Sequence, residues 1–192
     1  VVGPDEKSGW LYFTASPGNA TQQYLYRVKL DGSGPAERVT PAQGPLGATG
    51  THAYALSPDG RWAVHTVSAF DQPPLVELVS LPDHRSVRVL EPNADLRART
   101  ASEKPAPAEF FSIGIGDGVA LDGWLIKPPS FDASRKYPLL VYVYGEPAGQ
   151  TVRDAWREKQ GLFHRALAAQ GYLVASFDNR GTPAPKGSAW RK

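Results

Sequence analysis

Residues 51–90 carry four short runs of alternating or apolar character within about forty residues: THAYAL, RWAVHTV, LVELVSL and SVRVL. Alternation with period two puts every second side chain on one face, the signature of half-buried strands. The breaks between the runs carry turn chemistry, Pro58-Asp59-Gly60 and Pro82-Asp83. Glycine in such turns accepts a positive φ at no steric cost. Four strands at this spacing predict one blade of a β-propeller. Upstream, WLYFTA (10–15) and YLYRVKL (24–30), with a turn at Asp31-Gly32, predict strands of a preceding blade. Tyr12, Phe13, Tyr24 and Tyr26 read as blade core. A β-sandwich is the competing architecture.

The pattern changes after residue 92. The segment EPNADLRARTASEKPAPAEF (91–110) is rich in Pro, Ala and charge and has little periodicity, as expected of a linker. Beyond it, FFSIGIGDGVALDGWLIKPP predicts two strands around Asp117-Gly118. Gly114, Gly116 and Gly118 do not form the G-x-G-x-x-G fingerprint, and no helix follows them. PLLVYVY (138–144) is a continuous apolar strand, as expected where both sheet faces are covered. Val152, Ala155, Trp156, Leu162, Phe163, Ala166 and Leu167 predict one face of a helix, with Thr151 as its cap and Gly171 at its end. YLVASFD (172–178) is a second buried strand. Strand, helix, strand in this order predicts a parallel pair joined by a right-handed crossover. The expected division is therefore propeller blades over 1–92, a linker over 93–108 and an α/β domain over 109–192.

Bulk properties narrow the partners. A net charge of +2 with both signs well mixed argues against nucleic acid or an anionic membrane as the main partner. The hydrophobic fraction of 41% belongs to a folded protein. The absence of cysteine excludes disulfides and thiolate metal sites. No apolar run reaches the roughly 18 residues of a membrane span, and no signal segment opens the chain. There is no methionine, even at position 1, so an excerpt from a longer polypeptide is expected, with a processed chain as the alternative.

In open α/β sheets, ligands gather at the carboxyl ends of strands. Tyr144 and Asp178 are both expected at such ends, pointing polar groups toward one crevice. A phenol there can donate to charge developing on a carbonyl oxygen; a tyrosine that only caps its strand is the plainer alternative.

The residues Lys136-Tyr137-Pro138-Leu139-Leu140, Val143-Tyr144-Gly145-Glu146-Pro147 through Gln150, and Phe177-Asp178-Asn179-Arg180-Gly181 resemble the prolyl oligopeptidase family of serine peptidases, closest to its dipeptidyl-peptidase IV subgroup. Leu121 through Pro129 resemble the family's first hydrolase strands. The resemblance covers nearly the whole chain. It implies the last blades of a β-propeller followed by the N-terminal part of an α/β-hydrolase fold. It implies a hydrolase that releases N-terminal dipeptides with Pro or Ala second, through a serine acyl-enzyme, with the Tyr144 hydroxyl forming half of the oxyanion hole. An acylaminoacyl peptidase or an oligopeptidase of the same family, or a noncatalytic binding protein of the same shape, are the alternatives. Glu146 departs from the small residue common between this Tyr and Pro. By the same resemblance the whole protein acts on peptides, forms a homodimer and resides in the periplasm or is secreted, with a cytoplasmic location the alternative.

The triad is not within these residues. No serine has Gly at both offsets of G-x-S-x-G, and Ser188 follows Lys186. The fold's chain order is Ser, Asp, His, so all three are expected beyond Lys192. His52, His65, His84 and His164 are expected to be structural or exposed, and their spacing suits no metal site. No cofactor is expected. No counterpart of the family's acidic amine-binding motif is present, and Glu103 and Glu109 read as linker residues. Arg180 is a weak candidate for steering a substrate carboxyl; an ion pair with Asp178 or another carboxylate is the plainer role. Trp190 has no assignment. Asn19-Ala20-Thr21 fits the glycosylation sequon, most simply by chance.

Overall fold

The computed structural model describes residues 1–43, 49–103 and 106–192. Three four-stranded sheets make up the β-structure. The first contains β1 (Gly3–Asp5), β2 (Trp10–Ala15), β3 (Tyr24–Lys29) and β4 (Glu37–Arg38) in sequential order. The second contains β5 (Thr51–Leu56), β6 (Trp62–Ala69), β7 (Gln72–Ser80) and β8 (Arg85–Glu91), again in sequential order. Every pairing in these two sheets is antiparallel. Two consecutive four-stranded meanders are what propeller blades look like. Their mutual core holds Tyr12, Leu25 and Val39, with Tyr54 and Leu56 of the second sheet and Leu81 of its β7–β8 connection packed against them.

The expected linker contains a helix. Helix α1 (Ala94–Glu103) occupies it, with no buried residue, and Arg97 Nη2 donates to the Pro73 carbonyl at 2.6 Å. The sequence hid this helix because it has no apolar stripe to bury. Residues 104–105 of that segment lie outside the described residues. Glu109 is not a linker residue: it lies in β9 (Ala108–Gly116), where Lys127 Nζ reaches it at 2.7 Å.

The third sheet runs β11 (Leu139–Tyr142), β12 (Leu173–Phe177), β10 (Val119–Ile126), β9. The β9–β10 hairpin turns at Asp117 and Gly118, with φ of 49° and 68°. Positive φ at both central residues is what a type I′ turn demands. β11 and β12 are parallel, and β12 pairs antiparallel with β10. Trp124, Ile126, Val152, Ala168 and Val174 form the core beside this sheet. Phe70, from the β6–β7 turn, joins that core and ties it to the second sheet.

Around β11 and the helix after it the structure departs from several expectations. β11 stops at Tyr142, two residues before Tyr144. Among the described residues it lies at the edge of the sheet, with Leu140 and Tyr142 packed on the core and Leu139, Val141 and Val143 about half exposed. Helix α2 spans Glu158–Ala169, so Thr151 does not cap it; Arg157 occupies that position. Its buried residues are Gly161, His164 and Ala168, whereas Leu162 and Phe163 face outward. Counting the helical period from Val152 gave the wrong phase, because residues 151–157 are not helical. The expected stop is present. Gly171 has φ 93°, and its N–H bonds the Ala168 carbonyl at 3.0 Å.

Candidate functional site

The loop over 143–150 carries Tyr144 beyond the carboxyl end of β11. Tyr144 is 48% exposed, and among the described residues nothing hydrogen-bonds its hydroxyl. Gly145 follows at φ 77°, a left-handed conformation that turns the chain directly after the tyrosine. Gly149 lies under the ring: a Cβ there would come within 2.5 Å of Tyr144 Cδ1. Glu146 is exposed and makes no ion pair among the described residues.

Asp178 does not share an open crevice with Tyr144. It is 3% exposed, and both its oxygens accept hydrogen bonds from the far end of the same loop. Thr151 N–H and Oγ1 donate to Oδ1 at 2.7 and 2.9 Å, and Val152 N–H donates to Oδ2 at 3.1 Å. The expected pairing of Arg180 with Asp178 is absent for the same reason, since these donors already surround the carboxylate. Arg180 is exposed and donates to the Ala189 carbonyl at 3.3 Å.

Thr151 is the residue that the sequence undervalued. Its hydroxyl also accepts from Ser176 Oγ at 2.8 Å, and its carbonyl accepts from Trp124 Nε1 at 3.0 Å and from Arg157 Nη1. The Arg157 guanidinium lies 5.7 Å from the Trp124 ring centre and 5.8 Å from that of Tyr142, and burial pulls its pKa below the ordinary value. A lone threonine after Gln150 carries no local signal for this role, because every partner except Arg157 comes from a distant strand or its end.

The remaining candidates are structural. His52, His65 and Glu77 form a buried chain: His52 Nδ1 to His65 Nε2 at 2.9 Å, and His65 Nδ1 to Glu77 Oε1 at 3.0 Å. Tyr54 OH bonds His84 Nε2 at 2.8 Å beside them. Alternation places these residues on one face, yet their convergence needs three strands in register. His164 is buried against Trp124 and Tyr142. Trp190 is buried and donates to Thr182 Oγ1 at 3.2 Å. In the sequon, Thr21 N–H and hydroxyl both donate to Asn19 Oδ1, at 3.0 and 2.8 Å. A 540 Å³ cleft between the 16–21 loop and β9 is lined by Asn19, Phe111, Asp122 and Lys186, and does not include Tyr144.

The comparisons decide the relationship. The family model "Dipeptidyl peptidase IV (DPP IV) N-terminal region" matches residues 1–74. The structure superposes on that of Porphyromonas gingivalis dipeptidyl peptidase 4 with a TM-score of 0.83 and 29% identity, over 96% of this chain and 25% of that one. A probable dipeptidyl-aminopeptidase B of Emericella nidulans is 31% identical over 183 residues, and one of Penicillium rubens is 32% identical over 186. Residues 1–74 carry the N-terminal region of the dipeptidyl peptidase IV family, and along nearly its whole length the chain is similar to dipeptidyl peptidases. It matches 93% of its own length to each of those two relatives and spans only 19% of theirs. Among the described residues, no helix is long and apolar enough to cross a membrane.

Proposed function

We propose that this chain is part of a serine exopeptidase that releases N-terminal dipeptides with Pro or Ala second, and that Tyr144 supplies a donor of its oxyanion hole. The similarity to dipeptidyl peptidases supports dipeptidyl-peptidase activity. The observation that carries the Tyr144 role is an exposed phenol with an unbonded hydroxyl, just past the carboxyl end of a parallel strand. Ligands of open α/β sheets collect at such ends. On this reading residues 1–92 are propeller blades, 109–192 open an α/β-hydrolase domain, and 93–108 join them. The nucleophile, its base and the supporting acid belong to sequence outside these residues.

The chemistry follows from charge development. When a serine oxygen adds to the scissile carbonyl, negative charge grows on the carbonyl oxygen. A phenol whose O–H is not engaged elsewhere pays no reorganisation to donate to it. One such donor contributes about 3 kcal/mol to the transition state. In the whole enzyme, Tyr144→Phe should lower kcat on a Pro-containing dipeptide anilide by about 10²–10³, with KM little changed. Turnover within about threefold of the parent would refute the oxyanion role. Faster release from an N-acylated amino acid or from an internal Pro bond would favour an acylaminoacyl peptidase or an oligopeptidase instead.

A further inference from the structure

The Tyr144 loop has both ends fixed on one neighbouring strand. At its start, Tyr142 pairs with Ser176 of β12. At its finish, Thr151 bonds Ser176 Oγ and the Asp178 carboxylate just beyond the end of β12. The loop therefore leaves β11 and returns to the end of β12, anchored against β12 at both ends and exposed at its tip. Thr151, Ser176 and Asp178 are each at most 3% exposed. Bonds in such a dry setting are little weakened by competing water.

We infer that Thr151 and Asp178 are positioning residues for the phenol, a clamp that holds the Tyr144 loop in the geometry needed to meet the oxyanion. The inference rests on the oxyanion reading above. An oxyanion donor must lie about 2.7–3.1 Å from where the charged oxygen will be, so a small drift of the loop costs rate and leaves ground-state binding nearly intact. The Asp178 carboxylate is suited to the clamp because it accepts only. An amide in its place would turn one acceptor into a donor facing a backbone N–H. The Thr151 hydroxyl is suited because it donates to Asp178 while accepting from Ser176.

The test is a double-mutant cycle in the full-length enzyme, with a Pro-containing dipeptide anilide as substrate. Thr151→Val keeps the shape and both backbone N–H donors, so it folds more readily than a change at Asp178. It should lower kcat about tenfold with KM within about twofold, and Thr151→Ser should restore kcat to within about twofold. In a Tyr144→Phe background the same Thr151→Val change should cost less than about twofold, because the group it positions is gone. An equal loss in both backgrounds overturns the clamp while leaving the oxyanion role standing. So does failure of Thr151→Ser to restore rate. A Tyr144→Phe enzyme with undiminished turnover overturns the oxyanion role, and the clamp's part in catalysis falls with it.

Discussion

Asp178 accepts from two backbone N–H groups and a hydroxyl, all in the interior. Removing an acceptor from buried donors costs their full desolvation, which exceeds the net worth of the bonds themselves. Asp178→Ala should therefore destabilise the third sheet by at least about 3 kcal/mol, read as a fall in the chemical-denaturation midpoint of that part of the molecule. A loss below about 1 kcal/mol would mean that water replaces the carboxylate. Tyr144 is the opposite case at the same scale. Its hydroxyl holds nothing in place, so Tyr144→Phe should leave stability within about 0.5 kcal/mol of the parent. That contrast separates a residue kept for the fold from one available for chemistry.

Among the elements, the blade formed by β5–β8 carries a latent weakness to acid. His52 on β5 and His65 on β6 stack at 5.1 Å between ring centres, and Tyr24 of β3 packs on His52. The charged groups nearest to them are Glu77 on β7 and Arg38 on β4, with His84 and Tyr54 alongside. Burial is the main cause that pushes His52 down to about 3 and His65 down to about 4, from an ordinary value of 6.5. Their partners act in opposite senses: Glu77 raises His65, and the neighbouring imidazoles lower both. Below pH 6.5 the unfolded blade binds protons that the folded blade refuses. Stability is thus whole above about pH 6.5 and declines as pH falls toward 4 and 3, by up to about 1.4 kcal/mol per pH unit for each histidine. Amide protection factors, corrected for the intrinsic pH dependence of exchange, should fall in β5–β7 before they do in β10 and β12 as pH drops from 7 to 4. Replacing His65 with Phe should flatten that dependence; an unchanged slope would place the acid sensitivity elsewhere.

Across the whole molecule, the blades and the third sheet share a seam that behaves as packed interior. Phe70, 3% exposed, lies 5.3 Å from the Trp124 ring and 5.8 Å from that of Phe110. Asp154 accepts from Phe70 N–H at 2.8 Å and from Gln22 Nε2 at 3.1 Å, and its own N–H donates to the Thr21 carbonyl at 2.7 Å. Arg165 pairs with Asp71 a little further along. Phe70→Ala should cost about 3–5 kcal/mol through the cavity it leaves. In calorimetry the blades and the third sheet should then melt as two resolved transitions. A single transition at the parent temperature would show that the seam adds nothing to cohesion.

Sequence alone determined the four strands of the second blade and the two central strands of the first, because alternation and turn chemistry are local and antiparallel neighbours lie close in the chain; the short edge strands β1 and β4 carry no such pattern. β2, β3, β5 and β6 fall within about two residues of their expected bounds. It also placed the Asp117-Gly118 hairpin and marked Tyr144 through the motif around it. Helix α2 was harder: its apolar residues are split between core and solvent, so their period could not be phased without knowing what the helix packs on. The hydrogen-bond partners of Thr151, Asp178 and His65 were decided only by tertiary structure. Each depends on a partner brought from another strand or loop end, and a hydrogen bond across that distance leaves no periodicity in the chain to read.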